Sequence, residues 1–342
     1  MTHNISGTGG IVNVGFTCYA NATIQAFRHY QKVESLFKED NYTTILKKDC
    51  KYNELTKQFA NMIQTLSTIN SNSSIRPMGF WNAFNSSARD SCFEHLISRE
   101  CHDAHEFLMF ILDALHESLS REVNMNISSC ELKTERQKSH QKSLESWKEN
   151  FEKHYSPFVD MFFGMFHIQT TCLKCKNVSH RFDTFNTLKG VLPEGVSKPK
   201  LLECLQGELN EETIDNYECD HCKPKRTSAT RKTRVWKLPQ NLIVVLKRFK
   251  YDGSKIYTPI ENVSSIINLE NLYSELSPNK KDSSYTAQSI VDHHGSAQGG
   301  HYTAQALHNS EHKWYLYDDQ NVLPLDNPSF GENTYILFLS RL

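Results

Sequence analysis

Helical patterning through the first 120 residues and strand texture from about residue 160 onward predict an α+β protein with its site in a cleft between two lobes. A thiol near the start of the chain and a histidine and an acid near its end supply the parts of a cysteine hydrolase. They lie so far apart in sequence that only the fold can assemble them.

In the first region Tyr19, Thr23, Ala26, Phe27 and Tyr30 recur at helical spacing after Cys18. The clearest helix spans 103–119, where Ala104, Phe107, Leu108, Ile111, Leu112, Leu115 and Leu119 form one apolar stripe. Asn70 to Ser74 is polar and reads as a loop. From about 120 to 155 the chain is charged and poor in large apolar residues, as in a solvated helix or an insertion. Strand patterns follow at Phe166–Gln169, Arg181–Phe185 and Leu242–Leu246, then at Tyr302–Leu307, Trp314–Tyr317 and Tyr335–Leu339. The polar stretch Leu272–Ser284, with Pro278, reads as a mobile loop. There are no internal repeats and no low-complexity tracts.

A chain of 342 residues accommodates one large domain or two intimate ones, and 38% hydrophobic residues suffice for a substantial core. The net charge of −1 gives no electrostatic case for nucleic acid or an anionic membrane. The apolar runs Phe158–Phe166 and Leu242–Leu246 are too short to span a bilayer. Met1-Thr2-His3-Asn4 lacks a charged-then-apolar signal pattern, so a soluble protein in a reducing, intracellular compartment is expected, cytoplasmic or nuclear. In that setting the ten cysteines read as metal ligands where paired and as a nucleophile where one stands in the right context. Cys50, Cys92, Cys101, Cys130 and Cys204 read as ordinary thiols.

Cys18 stands in Gly10-Ile11-Val12-Asn13-Val14-Gly15-Phe16-Thr17-Cys18-Tyr19 at the opening of a helical pattern. A free thiol of pKa about 8.5 is mostly protonated at neutral pH. A helix N-terminus and an ion pair with a histidine both favour the thiolate. His301 follows Gly299 and Gly300, whose lack of side chains permits a sharp bend and close approach of a substrate backbone. Asp318 ends the aromatic run Trp314–Tyr317 and is suited to accept the His301 ring N–H, with Asp319 its rival for that role. Asn13, five residues before Cys18, either caps a turn or donates to a developing oxyanion.

Cys172-Leu173-Lys174-Cys175 and Cys219-Asp220-His221-Cys222 are two Cys-x-x-Cys knuckles with forty-three residues between them. Two residues between thiolates let both sulfurs reach one tetrahedral ion at about 2.3 Å, and four such ligands make a closed, structural zinc site. The basic residues that follow, Lys223 to Arg234, lack interleaved aromatics and read as a solvated surface, which leaves a zinc-ribbon nucleic-acid protein the weaker alternative. Asp103 and Glu106, three apart at the start of the best helix, have the spacing of a capping box.

Together with Asp103-Ala104-His105-Glu106-Phe107 and Leu246-Lys247-Arg248-Phe249, these segments resemble, in order and over nearly the whole chain, the motifs of the ubiquitin-specific proteases, which are papain-like deubiquitinases. The resemblance implies a thumb over about 1–120, a charged insertion over 121–157, zinc-bearing fingers over 158–235 and a β-rich palm over 236–342, all in one catalytic domain. It implies Asp318 as the orienting acid, Asn13 as an oxyanion donor, and zinc (Zn2+) at the tip of the fingers. It further implies that Asp103 and Glu106 meet the arginines of ubiquitin's C-terminal tail. A narrow channel flanked by Gly299, Gly300 and the run His294–Gln298, and lined by Tyr302, would admit the tail's Gly-Gly end. Expected partners are ubiquitin and ubiquitinated proteins, with room for an activating partner protein. Two alternatives stand: a protease for another Gly-Gly-ended modifier, or a non-catalytic ubiquitin-binding adaptor. The chain departs from the pattern at Phe16, often asparagine, at Ala22, often serine, and at Cys101, often glutamine.

Overall fold

The computed structural model describes residues 5–38, 40–128, 131–261, 266–296 and 298–342; Cys130 lies outside them. In chain order the first lobe comprises β1 (Gly10–Ile11), α1 (Cys18–Arg28), α2 (Gln31–Lys38), α3 (Asn53–Thr68), β2 (Ser74–Ile75), α4 (Met78–Ala88) and α5 (Ala104–Ser118). Then follow α6 (Glu135–Phe151), α7 (Pro157–Phe162), β3 (Gly164–Cys172), β4 (Val178–Phe185), β5 (Thr187–Gly190), α8 (Leu201–Glu208), β6 (Glu211–Tyr217) and β7 (Thr227–Lys237). The last part is β8 (Asn241–Leu246), β9 (Ile267–Asn268), β10 (Ser284–Ser296), β11 (Gly299–Leu307), β12 (Trp314–Asp318), β13 (Asn321–Leu325) and β14 (Thr334–Arg341).

Eight strands form the large sheet, ordered β13-β12-β11-β10-β14-β8-β5 with β9 against β10; a second sheet is ordered β4-β3-β7-β6. The helices of the first lobe cover one face of the large sheet. There Ile24, Phe27 and Tyr30 pack with Ile243, Val291, Ala304 and Phe338 in one buried cluster. The other face is covered by α8 and the segment around Leu269–Tyr273, which meet Val244, Leu246, Ile290 and Leu337. Strand β8 is therefore buried on both sides, and its unbroken apolar run follows from that. Ser289, fully buried in β10, donates to the Ala26 carbonyl at 2.7 Å and ties α1 across the sheet.

Three expectations are revised. The charged segment is a helix, α6, started by a Thr134–Gln137 capping box. It is not wholly solvated: Trp147 packs on Met165, Phe182 and Trp236 at the base of the small sheet. Leu272–Ser284 is tied rather than loose. The Ser277 hydroxyl donates to the Trp236 carbonyl at 2.6 Å, and Ser274 meets His167 Nδ1 at 2.8 Å. Within the span expected to be fingers, β5 and α8 join the large sheet and its core instead. No helix among the described residues is long and apolar enough to cross a membrane.

Arg248 is fully buried just after β8. Its guanidinium donates to the carbonyls of Ile256, Thr258 and Gly331, each at 2.9 Å, and to that of Thr334. Five fixed donors on one rigid plane suit a site where several chain segments converge.

Candidate active site

The loop before α1 is built by its own polar side chains. Asn13 Oδ1 accepts from the backbone N–H of Gly15 and of Thr17, both at 3.1 Å, and Thr17 Oγ1 accepts from Val14 N–H at 3.1 Å. This tight wrap puts Cys18 at the first position of α1, where the helix N-terminus favours a thiolate. It also forces Phe16 to φ 55° and leaves its ring 61% exposed. Asparagine tolerates left-handed backbone far better than phenylalanine, so the departure at this position is a strained one.

The loop is locked to the far end of the chain. Gly10 packs on the turn after β12, where a Cβ would stand 2.4 Å from the Gln320 carbonyl oxygen. Asn13 Nδ2 donates to Asp319 Oδ2 at 2.9 Å and Asn21 Nδ2 to Asp319 Oδ1 at 2.7 Å. Asp319 thus spends both oxygens on the α1 loop and helix. Its neighbour Asp318 points the other way, and Asp318 Oδ1 meets His301 Nε2 at 2.6 Å. That bond leaves His301 Nδ1 as the nitrogen for the thiol. Asn13 keeps one amide proton after its bond to Asp319.

Cys18 is 5% exposed and its pKa falls to about 6. The neighbouring Cys101 thiol, as a hydrogen-bond partner of the thiolate, is the largest cause. Burial opposes it, the Tyr302 backbone N–H and the charge of His301 reinforce it, and Asp319 weakly opposes. Burial alone would lower the pKa of His301, but the Asp318 carboxylate and the Cys18 thiolate outweigh that and raise it. Between the two values the stable form is a thiolate–imidazolium pair. Replacing Cys101 with alanine removes the largest lowering cause, so the acid limb of a kcat/KM–pH profile should move upward from about 6. Serine at that position should restore much of the limb's place, because it also donates.

Beside Cys18 a cleft of 360 Å³ is lined by Cys101, Asp103, Phe249, Tyr251, Gly300 and Tyr302, among others. Gly299 and Gly300 belong to strand β11 in a hairpin with β10, not to the loop expected there. Gly300 has no alternative: a Cβ would stand 2.2 Å from the His294 carbonyl oxygen and 2.4 Å from His293 Nε2. Tyr302 is almost wholly buried and offers the cleft only an edge. Asp103 caps α5, its Oδ1 accepting from His105 N–H at 2.6 Å, while its Oδ2 accepts from the Tyr335 hydroxyl at 2.6 Å. Glu106 is exposed and faces His95 Nε2 at 3.0 Å. Sequence reasoning gave no role to Asn21 or Cys101 and offered Asp319 only as a rival to Asp318, whereas its carboxylate holds Asn13 and Asn21.

At the tip of the small sheet, Cys172 and Cys175 on the β3–β4 turn meet Cys219 and Cys222 between β6 and β7. Cys172 and Cys222 sulfurs are 4.0 Å apart, and those of Cys175 and Cys219 are 3.5 Å apart. A tetrahedral ion with sulfurs at about 2.3 Å needs edges of roughly 3.8 Å, so the four thiols fit one metal ion.

A family model described as ubiquitin carboxyl-terminal hydrolase matches residues 9–339. The ubiquitin carboxyl-terminal hydrolase Usp2 of Drosophila melanogaster is 30% identical over 98% of this chain, which covers 35% of that protein. The human ubiquitin carboxyl-terminal hydrolase 2 is 26% identical over 97% of the chain and 55% of that protein. The chain thus spans about a third to a half of the length of these relatives. Among solved structures, the Ubp8/Sgf11/Sus1/Sgf73 module of SAGA bound to ubiquitin aldehyde is similar at TM-score 0.73 and 21% identity. It covers all of this chain and 71% of that one, a likeness of fold.

Proposed function

The chain belongs to the ubiquitin carboxyl-terminal hydrolase family, and from that membership we propose that it is a cysteine deubiquitinase acting on the bond after ubiquitin's last glycine. The observation that carries the reading is the thiol–imidazole–carboxylate line of Cys18, His301 and Asp318 at the head of a glycine-walled cleft. The Cys18 thiolate attacks the glycine carbonyl, and the remaining Asn13 amide proton and the α1 N-terminus steady the oxyanion. The His301 imidazolium then gives its proton to the departing lysine amine, leaving a thioester on Cys18. Water, deprotonated by His301, hydrolyses that thioester and frees ubiquitin. Asp318 holds the ring and its charge throughout.

The cleft on the Gly300 side receives the tail, with Asp103 and Glu106 offering carboxylates to its arginines and Gly299, Gly300 and Tyr302 walling it. Zinc is the ion we assign to Cys172, Cys175, Cys219 and Cys222; it supplies a structural cross-link and takes no part in the reaction. Metal analysis should find one equivalent of zinc per chain. Stripping it with a strong chelator should loosen the small sheet and weaken ubiquitin binding, read by hydrogen exchange over 164–237 and by titration with ubiquitin.

Intact-mass analysis after incubation with ubiquitin carrying a thiol-reactive C-terminal group tests the reading. One adduct on the native chain and none on Cys18→Ala supports it. No adduct on folded, zinc-loaded protein overturns it, and an adduct only with another Gly-Gly-ended modifier redirects it.

A further inference from the structure

We infer that Cys18 and Cys101 form a reversible disulfide after hydroperoxide attack, so that Cys101 is a resolving thiol built into the active site. The inference rests on Cys18 being the reactive thiolate proposed above.

Four observations carry it. Cys101 stands beside Cys18 and is the largest influence on its thiol, while its own sulfur lies 4.0 Å from the Gly300 carbonyl oxygen, one residue before His301. The residues that follow the two cysteines are also in contact. Tyr19 and His102 meet edge to face with ring centroids 5.4 Å apart, which holds the two chain segments together. The thiols differ in access, Cys18 being buried and Cys101 exposed on the wall of the 360 Å³ cleft. Cys101 lies between the 3-10 turn at Glu94–Ile97 and α5, outside any helix or strand, so its sulfur is free to close the gap without breaking either. Glutamine, frequent at this position in the family, has none of this chemistry.

The steps balance. The Cys18 thiolate attacks the peroxide oxygen, the O–O bond breaks, and the leaving oxygen takes a proton to depart as water or an alcohol. Cys18 is left as a sulfenic acid. While Cys18 is charged, its thiolate and the burial of the site hold Cys101 protonated. Oxidation neutralises Cys18 and removes its share of that opposition, so Cys101 gives up its proton more readily. The Cys101 sulfur then displaces hydroxide from the sulfenic sulfur; its released proton joins the hydroxide to make water, and the S–S bond forms. Two electrons have passed from the sulfur pair to the peroxide, and a dithiol returns them. The result protects as well as inhibits, because a sulfenic acid without a resolving partner goes on to irreversible sulfinic acid.

The experiment treats the full chain and Cys101→Ser with hydrogen peroxide, then maps peptides by mass spectrometry without reduction and measures reaction with the ubiquitin probe before and after dithiothreitol. The native chain should yield a peptide pair joined through Cys18 and Cys101, two hydrogen atoms lighter than the free pair, and should regain its own starting reactivity with dithiothreitol. Cys101→Ser should accumulate Cys18 sulfinic acid and regain about tenfold less of its own starting reactivity. Absence of the joined pair, or equal recovery in Cys101→Ser, overturns the inference. Failure of the untreated, reduced chain to react with the probe would instead sink the deubiquitinase reading. The joined peptide is scored independently of that reaction.

Discussion

Asp318→Asn lowers kcat for cleavage of a ubiquitin C-terminal amide by about four orders of magnitude, with KM little changed. The amide keeps the shape of the carboxylate and loses its charge, so ring geometry survives while the imidazolium does not. The 2.6 Å bond between His301 Nε2 and Asp318 Oδ1 is charge-assisted, and it opposes the burial that would otherwise lower the His301 pKa. Its folded pKa is raised, so the pair is intact below that value and lost as pH climbs through it. In the variant this upper limb of the kcat/KM–pH profile should fall to lower pH, narrowing the active window from above. A large loss of kcat without that movement would mean that Asp318 serves only to place the ring. Asp319→Asn makes the contrast: its carboxylate answers Asn13 and Asn21, so its loss should loosen the loop before Cys18 and leave the upper limb in place.

Arg248→Met costs about 3–5 kcal/mol of stability, roughly 10 °C in the midpoint of a thermal scan. The side chain is fully buried, and its pKa, lowered by that burial, stays near 10, so it is charged at neutral pH. It donates to four carbonyls from two segments, the stretch up to Thr258 and the start of β14. Methionine fills the space and leaves those carbonyls without donors, each a desolvation cost of its own. Lysine cannot fan donors over the same arc, so Arg248→Lys should recover only part of the loss. A variant with an unchanged midpoint would show that water takes over the four bonds. Because Phe249 and Tyr251 wall the cleft next to this clamp, a weaker KM should accompany the lower midpoint.

Much of this arrangement was legible in the residues. The stripe from Ala104 to Leu119 and the acid ahead of it defined α5 and its cap to within a residue, because helix signals are local. The apolar run of β8 announced a strand, and the structure adds that both its faces are covered. The thiol, the imidazole and the two knuckles stood out because few residue types can do such chemistry. What stayed hidden depends on partners remote in sequence. Strand β10, which carries Ser284, Thr286, Gln288 and Asp292, was not among the strand patterns, yet Asp292 is buried because Gln305 donates to it at 2.6 Å. The serines of Leu272–Ser284 looked like solvent-loving loop residues until His167 and the Trp236 carbonyl met them. The separate duties of Asp318 and Asp319 depend on which way one strand end turns, and no local pattern encodes that.

The path of the chain through the small sheet has a mechanical consequence. It enters for β3 and β4, returns to the large sheet for β5 and α8, goes out again for β6 and β7, and comes back for β8. Each excursion brings two of the four clustered sulfurs to the tip. A tie among them closes a ring of backbone whose far side is threaded through the lobe that carries His301. The fingers are then no single-hinged flap: they are a strut with both feet in the palm, and tension at the tip is delivered to the edge strand β5.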